Sequence, residues 1–454
     1  MKIVIVGAGE VGFHIASRLA LENKDVVVID NDPNSIRRIA DNIDANVLIG
    51  SGSSPVVLEE AGIKGAEILL AVTNSDETNL VACLATNIIS PSTMKLARIR
   101  NADYDKYHNT FLEHAPHIDT IINPEIEVVK TIERMMSVPG AVDISEFADG
   151  RVKCVGIQLL KNDRLAGVRL TDLSSITGKH RLLIVAVIRD DELIIPRGND
   201  KLKAGDLVYF ISDEDNLADI LSIFDKQAQP LNRILIVGGG SIGQRLAARL
   251  EEKSIYTKII DKDADRCIKL ADQLNKVIVL HGDGSDQGLL SEENIQDMDL
   301  VITLTDDEEI NILTSLLAKR MGARKTITKI SKFSYFSLMS AIGIEQVVSP
   351  RLSAINTILQ HIRRGKVLSA ISIKGEQAEI MEAVALETSD IVGKPLKDIT
   401  FPKGALVASI IRNDQIIIPS GESIIKPEDR IIIFARRQSI DKIEKILAVK
   451  LEFF

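Results

Sequence analysis

Lys2-Ile3-Val4-Ile5-Val6-Gly7-Ala8-Gly9-Glu10-Val11-Gly12 runs a short apolar stretch into three spaced glycines. About halfway along the chain nearly the same string returns as Arg233-Ile234-Leu235-Ile236-Val237-Gly238-Gly239-Gly240-Ser241-Ile242-Gly243. A short apolar run ending in glycines is a buried strand, and the residues after it have helical spacing. In a strand–turn–helix, Gly7 permits the tight turn, Gly9 lets backbone approach a pyrophosphate, and Gly12 lets helix and strand pack closely. The amides of Ala8, Gly9, Glu10 and Val11 are then expected to face a phosphate at the helix N-terminus. One such string is a weak signal; two at equivalent positions, each followed by matching landmarks, are a strong one.

Those landmarks recur in order. Val28-Ile29-Asp30 pairs with Ile259-Ile260-Asp261, and Gly50-Ser51-Gly52-Ser53 with Gly282-Asp283-Gly284-Ser285. Ala71-Val72-Thr73-Asn74 pairs with Thr303-Leu304-Thr305-Asp306. Later, Leu165-Ala166-Gly167 mirrors Ile391-Val392-Gly393, and Arg189-Asp190-Asp191-Glu192 mirrors Arg412-Asn413-Asp414-Gln415. The chain is therefore a duplication, each half a large unit followed by a small one. The expected domains are residues 1–123, 143–226, 232–349 and 367–454.

In the large unit, strands are expected at 2–6, 26–30, 47–49, 68–72, 94–100 and 118–122, and helices at 11–21, 33–41 and 76–89. This alternation gives an α/β fold, a doubly wound parallel sheet of Rossmann type. The small unit reads as α+β without a phosphate loop, with strands at 152–160, 181–189, 192–196 and 207–212 and a closing helix at 216–224. Residues 124–137 and 350–364 read as helices joining large unit to small.

Asp30 and Asp261 each end a strand roughly twenty residues after the third glycine, where a carboxylate accepts both ribose hydroxyls and repels a 2′-phosphate. NAD(H) or a plain adenine nucleotide is expected, unless each Asp merely caps the next helix. Thr73-Asn74 and Thr305-Asp306 follow the fourth strand, at the sheet edge where open α/β folds bind ligands. They bond a ribose or a distal group, or only start the next helix. Arg98 and Arg100 alternate around Ile99 and so share a face. Arg98 is the candidate phosphate clamp, with a surface salt bridge as the alternative. Its counterpart, Lys329, is a point charge without a bidentate fork.

Composition excludes other classes. Lys+Arg 55 against Asp+Glu 64 leaves a net charge of −9, which argues against a protein that mainly neutralises nucleic-acid phosphates. Cys83, Cys154 and Cys267 are scattered, so neither a zinc site nor a disulfide framework is expected, and a reducing cytoplasm fits. The apolar start is too short for a signal peptide, and no run reaches the roughly 18–20 apolar residues of a membrane helix. His114-x-x-His117 lacks a third ligand nearby and reads as a solvated pair. Asp306-Asp307-Glu308-Glu309 reads as a helix N-terminus.

The order and duplication of these motifs resemble the TrkA family of potassium-uptake regulators, built of tandem RCK (regulator of potassium conductance) N- and C-domains. The resemblance rests on Gly7-x-Gly9-x-x-Gly12, Asp30, Ala71-Val72-Thr73-Asn74, Ala97-Arg98-Ile99-Arg100, Gly167-x-x-Leu170, and the segments Ile195-Pro196-Arg197-Gly198 and Ile418-Pro419-Ser420-Gly421. It implies one nucleotide site at Gly7 to Val11, Asp30, Thr73, Asn74 and Arg98. A second lies at Gly238 to Ile242, Asp261, Thr305 and Asp306. The ligands implied are NAD(H) and ATP or ADP. The family often has Gly-Asp after the third strand; the second half keeps Gly282-Asp283, while the first has Gly50-Ser51, so the two sites are expected to differ.

The resemblance further implies a non-enzymatic cytosolic regulatory subunit on the inner face of the membrane. Its partners would be a Trk-type, potassium channel-like membrane subunit and three further copies in a homotetrameric ring, with no nucleic acid. An NAD-dependent oxidoreductase needs a positioned acid/base. The small units offer His180 in one copy and no aligned histidine in the other. A soluble NAD-binding redox sensor acting on transcription is disfavoured by the acidic balance.

Overall fold

A computed structural model describes residues 1–447 except 115, 139, 179–181, 191, 227–230, 345, 363–366, 374–376 and 414. His180 thus lies outside the described residues, as does most of the junction between the halves.

The chain divides into two compact units. The first holds Met1–Glu127 together with the helix Pro350–Ile362. Its six-stranded sheet consists of β1 (Lys2–Val6), β2 (Asp25–Asp30), β3 (Asn46–Ile49), β4 (Ile68–Ala71), β5 (Met94–Arg98) and β6 (Thr120–Ile122). All are parallel, in the order β3-β2-β1-β4-β5-β6. This is the Rossmann order, and the chain reverses its winding direction between β1 and β4. The central strands are buried on both faces, which is why they read as unbroken apolar runs. The helix Pro350–Ile362 packs on the glycine-loop helix Glu10–Leu21, and Arg351 Nη1 lies 3.8 Å from Glu10 Oε2.

In the second unit, β7 (Asp143–Phe147), β8 (Val152–Gln158), β9 (Leu183–Arg189), β10 (Glu192–Ile194) and β11 (Leu207–Asp213) form a sheet in the order β10-β9-β11-β8-β7. Next comes a parallel sheet of β12 (Arg233–Val237), β13 (Tyr256–Asp261), β14 (Ile278–His281), β15 (Leu300–Thr303), β16 (Thr326–Lys329) and β17 (Gln346–Val348). Its order, β14-β13-β12-β15-β16-β17, repeats that of the first. The last sheet has β18 (Val367–Ile373), β19 (Ala378–Val384), β20 (Ala405–Arg412), β21 (Gln415–Ile417) and β22 (Arg430–Arg436), ordered β18-β19-β22-β20-β21. The α/β class and the duplication are thus both present.

The helix Pro124–Ser137 continues into this unit, where Val128, Val129 and Ile132 share a core with Ile242 and Leu246 of the second glycine-loop helix. The two small sheets share a further core that includes Phe147, Val185, Ile211, Ile380 and Phe434. The duplication reaches single bonds. Arg189 holds the buried Asp206 with Nε and Nη2 at 2.7 Å each; Arg412 holds the buried Asp429 at 2.9 and 2.6 Å. Such forked pairs are the strong form of charge-assisted bond.

Several expected boundaries shift. The closing helix begins at Glu214, not 216, because the Asp213 carboxylate accepts the Asn216 amide at 2.8 Å and caps it there. Strand β5 stops at Arg98, so Arg100 lies beyond its end. Strand β7 was not expected: Asp143-Ile144-Ser145-Glu146-Phe147 has only two apolar residues and no regular alternation, and antiparallel pairing with β8 makes it a strand.

Candidate nucleotide site

The glycine loop leaves β1 at the switch point of the first sheet. Gly7 has φ of +111°, and a Cβ there would stand 3.0 Å from the Thr73 amide nitrogen. At Gly12 a Cβ would lie 1.8 Å from the Gly7 carbonyl oxygen, so a larger residue would push the loop off its helix. A Cβ on Gly9 meets nothing within 4 Å, because that glycine faces the open cleft. The second half repeats the pattern at Gly238 (φ of +109°), Gly243 and the open Gly240.

A cleft of about 410 Å³ opens over the first loop, lined among others by Gly7, Gly9, Asp30, Gly52, Thr73 and Asn74. Gly52 is close-packed, since a Cβ there would sit 2.0 Å from a Val6 methyl. Of the residues expected at this site, Ala8, Glu10, Val11, Gly12 and Arg98 lie outside the lining. Asp30 ends β2 at the cleft wall. Its Oδ2 accepts the Ala8 amide at 2.6 Å and its Oδ1 the Asp32 amide at 2.9 Å. The expectation for the Ala8 amide is thereby corrected: it is spent on Asp30, and the donors left for a phosphate are those of Gly9, Glu10 and Val11 at the helix start. The helix-capping alternative for Asp30 also falls, because Asp32 caps the next helix through the Asn34 and Ser35 amides.

Across the cleft, an asparagine that sequence reasoning passed over organises the loop after β4. The buried Asn79 accepts from the Thr73 amide at 3.0 Å and from Thr73 Oγ1 at 2.8 Å, and its Nδ2 donates to the Arg98 carbonyl at 2.8 Å. Thr73 therefore lines the cleft with its hydroxyl turned into its own loop. Asn311 repeats this network with Thr305 and the Lys329 carbonyl. The signal for it was a Thr followed six residues later by Asn, present in both halves.

Arg98 and Arg100 converge on that loop as expected of one face. Arg98 Nη1 donates to the Thr73 carbonyl at 3.1 Å and to Asn74 Oδ1 at 3.2 Å; Arg100 Nη2 donates to the Asn74 carbonyl at 2.6 Å. The acceptors of the Arg98 side chain are thus neutral, and its buried Nε has no partner. Burial, then the neighbouring Arg100 charge, pull its pKa down to about 10. A guanidinium so placed favours an added anion. The salt-bridge alternative finds no carboxylate in hydrogen-bond contact with it among the described residues. At the loop entrance Glu10 is held by Arg38 at 2.6 Å.

The second half keeps the frame and changes the charges. Asp261 Oδ2 accepts the Gly239 amide at 2.6 Å, as Asp30 does from Ala8. Lys329, however, is ion-paired to Asp306 at 3.1 Å, and Arg266 to Asp261 at 3.0 Å. Burial pushes the Asp261 carboxyl up, but the Asp263 and Gly239 amides and the Arg266 guanidinium hold it below the usual range. Asp283 and Ser51, the residues that differ after the third strand, act alike locally. Each accepts from the serine two residues on, Asp283 from Ser285 at 2.9 and 2.7 Å, and Ser51 from the Ser53 amide at 3.4 Å. Among the described residues, no group of three or more His, Cys, Asp or Glu could hold a metal, and no helix is long and apolar enough to cross a membrane.

The TrkA-N domain family matches residues 3–124 and 234–350, and the TrkA-C domain family matches residues 154–225 and 380–448. The Trk system potassium uptake protein TrkA of Azorhizobium caulinodans is 37% identical over 458 residues, with all of both chains covered. The TrkA homolog 2 of Methanosarcina mazei is 39% identical, over 98% of this chain and 100% of that one. Among solved structures, the GsuK RCK domain matches with a TM-score of 0.59 at 17% identity, covering 98% of this chain and 94% of that one. The GsuK channel bound to NAD matches with a TM-score of 0.60 at 17% identity, covering 98% and 78%. At that identity the likeness is one of fold.

Proposed function

Because the chain belongs to the TrkA family, we propose that it is a regulatory subunit that binds NAD(H) and ATP or ADP at its glycine loops and so gates a Trk-type potassium channel-like membrane protein. The observation that carries this reading is the pair Asp30 and Arg98. They stand at the ends of β2 and β5, on opposite sides of the loop between β1 and its helix. Between them, Gly9 opens a space that any larger side chain would fill. A carboxylate for ribose hydroxyls, helix-start amides for phosphate and an arginine beyond them match the three parts of a nucleotide in order.

The ligand's contribution is to prefer one arrangement of the assembly, and it can shift a gate only by that difference in affinity. The residues binding at the first site are Gly7, Gly9, Glu10, Val11, Gly12, Asp30, Thr73, Asn74 and Arg98. At the second they are Gly238 to Gly243, Asp261, Gly282, Asp283, Thr305, Asp306 and Lys329. The protein catalyses no reaction in this reading. It works as a homotetramer on the cytoplasmic face of the membrane, held there by its partner, with the four domains at 1–123, 143–226, 232–349 and 367–454. The test is titration calorimetry with NADH, ATP and ADP, followed by potassium flux in liposomes carrying the partner. Absence of binding by all three would reject the reading.

A further inference from the structure

The two halves present the same ribose acceptor in different states. Asp30 and Asp261 each end the second strand of their sheet and each take a loop amide at 2.6 Å. Beyond that they diverge at one aligned position, the fifth residue after the Asp. In the first half this is Ser35, whose hydroxyl donates to the capping Asp32 at 2.7 Å. Among the described residues no cation pairs with Asp30. In the second half it is Arg266, whose Nη1 lies 3.0 Å from Asp261 Oδ2 and 3.3 Å from Oδ1, with Nη2 3.8 Å from Asp263.

We propose that Arg266 gates the second glycine-loop site, so that a nucleotide enters it only by displacing the guanidinium from Asp261, and that this makes it the weaker site for NADH. The inference rests on the nucleotide-binding reading above. A ribose needs the lone pairs that Arg266 holds, so bond formation to the ligand is offset by bond loss within the protein. The Arg266 side chain is 44% exposed, which leaves it room to swing into water. The pair is therefore a gate and not a plug. The other cation of the second site is engaged too, Lys329 with Asp306, whereas Arg98 meets only neutral acceptors.

The experiment uses the full chain with one site closed at a time. Gly9→Val leaves the second site and Gly240→Val the first; a Cβ at either glycine meets no protein atom within 4 Å, so both variants should fold. Arg266→Ser on the Gly9→Val background should tighten NADH about two- to fivefold, the size of a partly exposed ion pair. Ser35→Arg on the Gly240→Val background should weaken NADH by a similar factor. Circular dichroism and melting curves establish that each variant is folded. If neither exchange moves the affinity, the gate is rejected while the nucleotide-binding reading stands. Tighter binding of NADPH than NADH at the second site would also overturn it, since Arg266 would then be a 2′-phosphate ligand. NADH binding at neither site in the unexchanged backgrounds and in all variants would overturn both.

Discussion

Replacing Asp30 with Ala separates binding from folding in one residue. Its carboxylate lines the cleft and also accepts the Ala8 and Asp32 amides. On the binding side, a lost hydrogen bond to a charged group costs about 1.5–3 kcal/mol. At about 1.4 kcal/mol per tenfold, NADH affinity at the first site should fall roughly ten- to a hundredfold. On the folding side, two amides lose an acceptor. Asp32 is exposed, so water can replace its acceptor, whereas Ala8 is buried, so the cost should be about 1–3 kcal/mol, the range for an unmade buried bond. The assay is NADH fluorescence titration on the Gly240→Val background, with a melting curve beside it. Unchanged NADH affinity in a folded variant would refute the assignment of Asp30 to the ribose.

Four further outcomes follow from the same structure. Arg98→Ala should weaken ATP more than Lys329→Ala does, and ATP more than NADH, because Arg98 lacks a carboxylate partner while Lys329 already holds Asp306; calorimetry on each variant reads the order. Asn79→Ala should destabilise the first unit by about 1–3 kcal/mol in chemical denaturation, since it leaves the Thr73 amide and the Arg98 carbonyl without their partner, and should weaken nucleotide as the loop loosens. The buried thiols should resist alkylation in the native protein. Burial pushes Cys83 from 9.0 up to about 12, so the stability it lends is whole below pH 9 and is lost as pH rises towards 12, read as a falling melting temperature.

The glycine strings and strand-ending aspartates were legible because each answers a constraint that one residue type alone satisfies. Gly7 adopts φ of +111° and Gly12 leaves no room for a Cβ, so both leave a mark in any sequence with this loop. Duplication made the mark unambiguous. Asn79 and Asn311 were passed over because an Asn within a helical stretch reads as a surface residue, and only tertiary packing turns it inward. The Ala8 amide was misassigned for a related reason: its acceptor, Asp30, is distant in sequence and reaches it only once β1 and β2 pair. Arg266 was invisible because its helix must dock on β13 before the guanidinium meets Asp261.

The central claim is that nucleotide at the first glycine loop controls potassium movement through a membrane partner. The direct measurement is potassium flux in liposomes holding that partner, with the full chain and its Gly9→Val variant, each with and without ATP, ADP or NADH. The account predicts flux that responds to nucleotide with the native chain and loses most of that response with Gly9→Val, while the variant still associates with the partner. Flux that ignores nucleotide with the native chain, or responds equally with the variant, would contradict it.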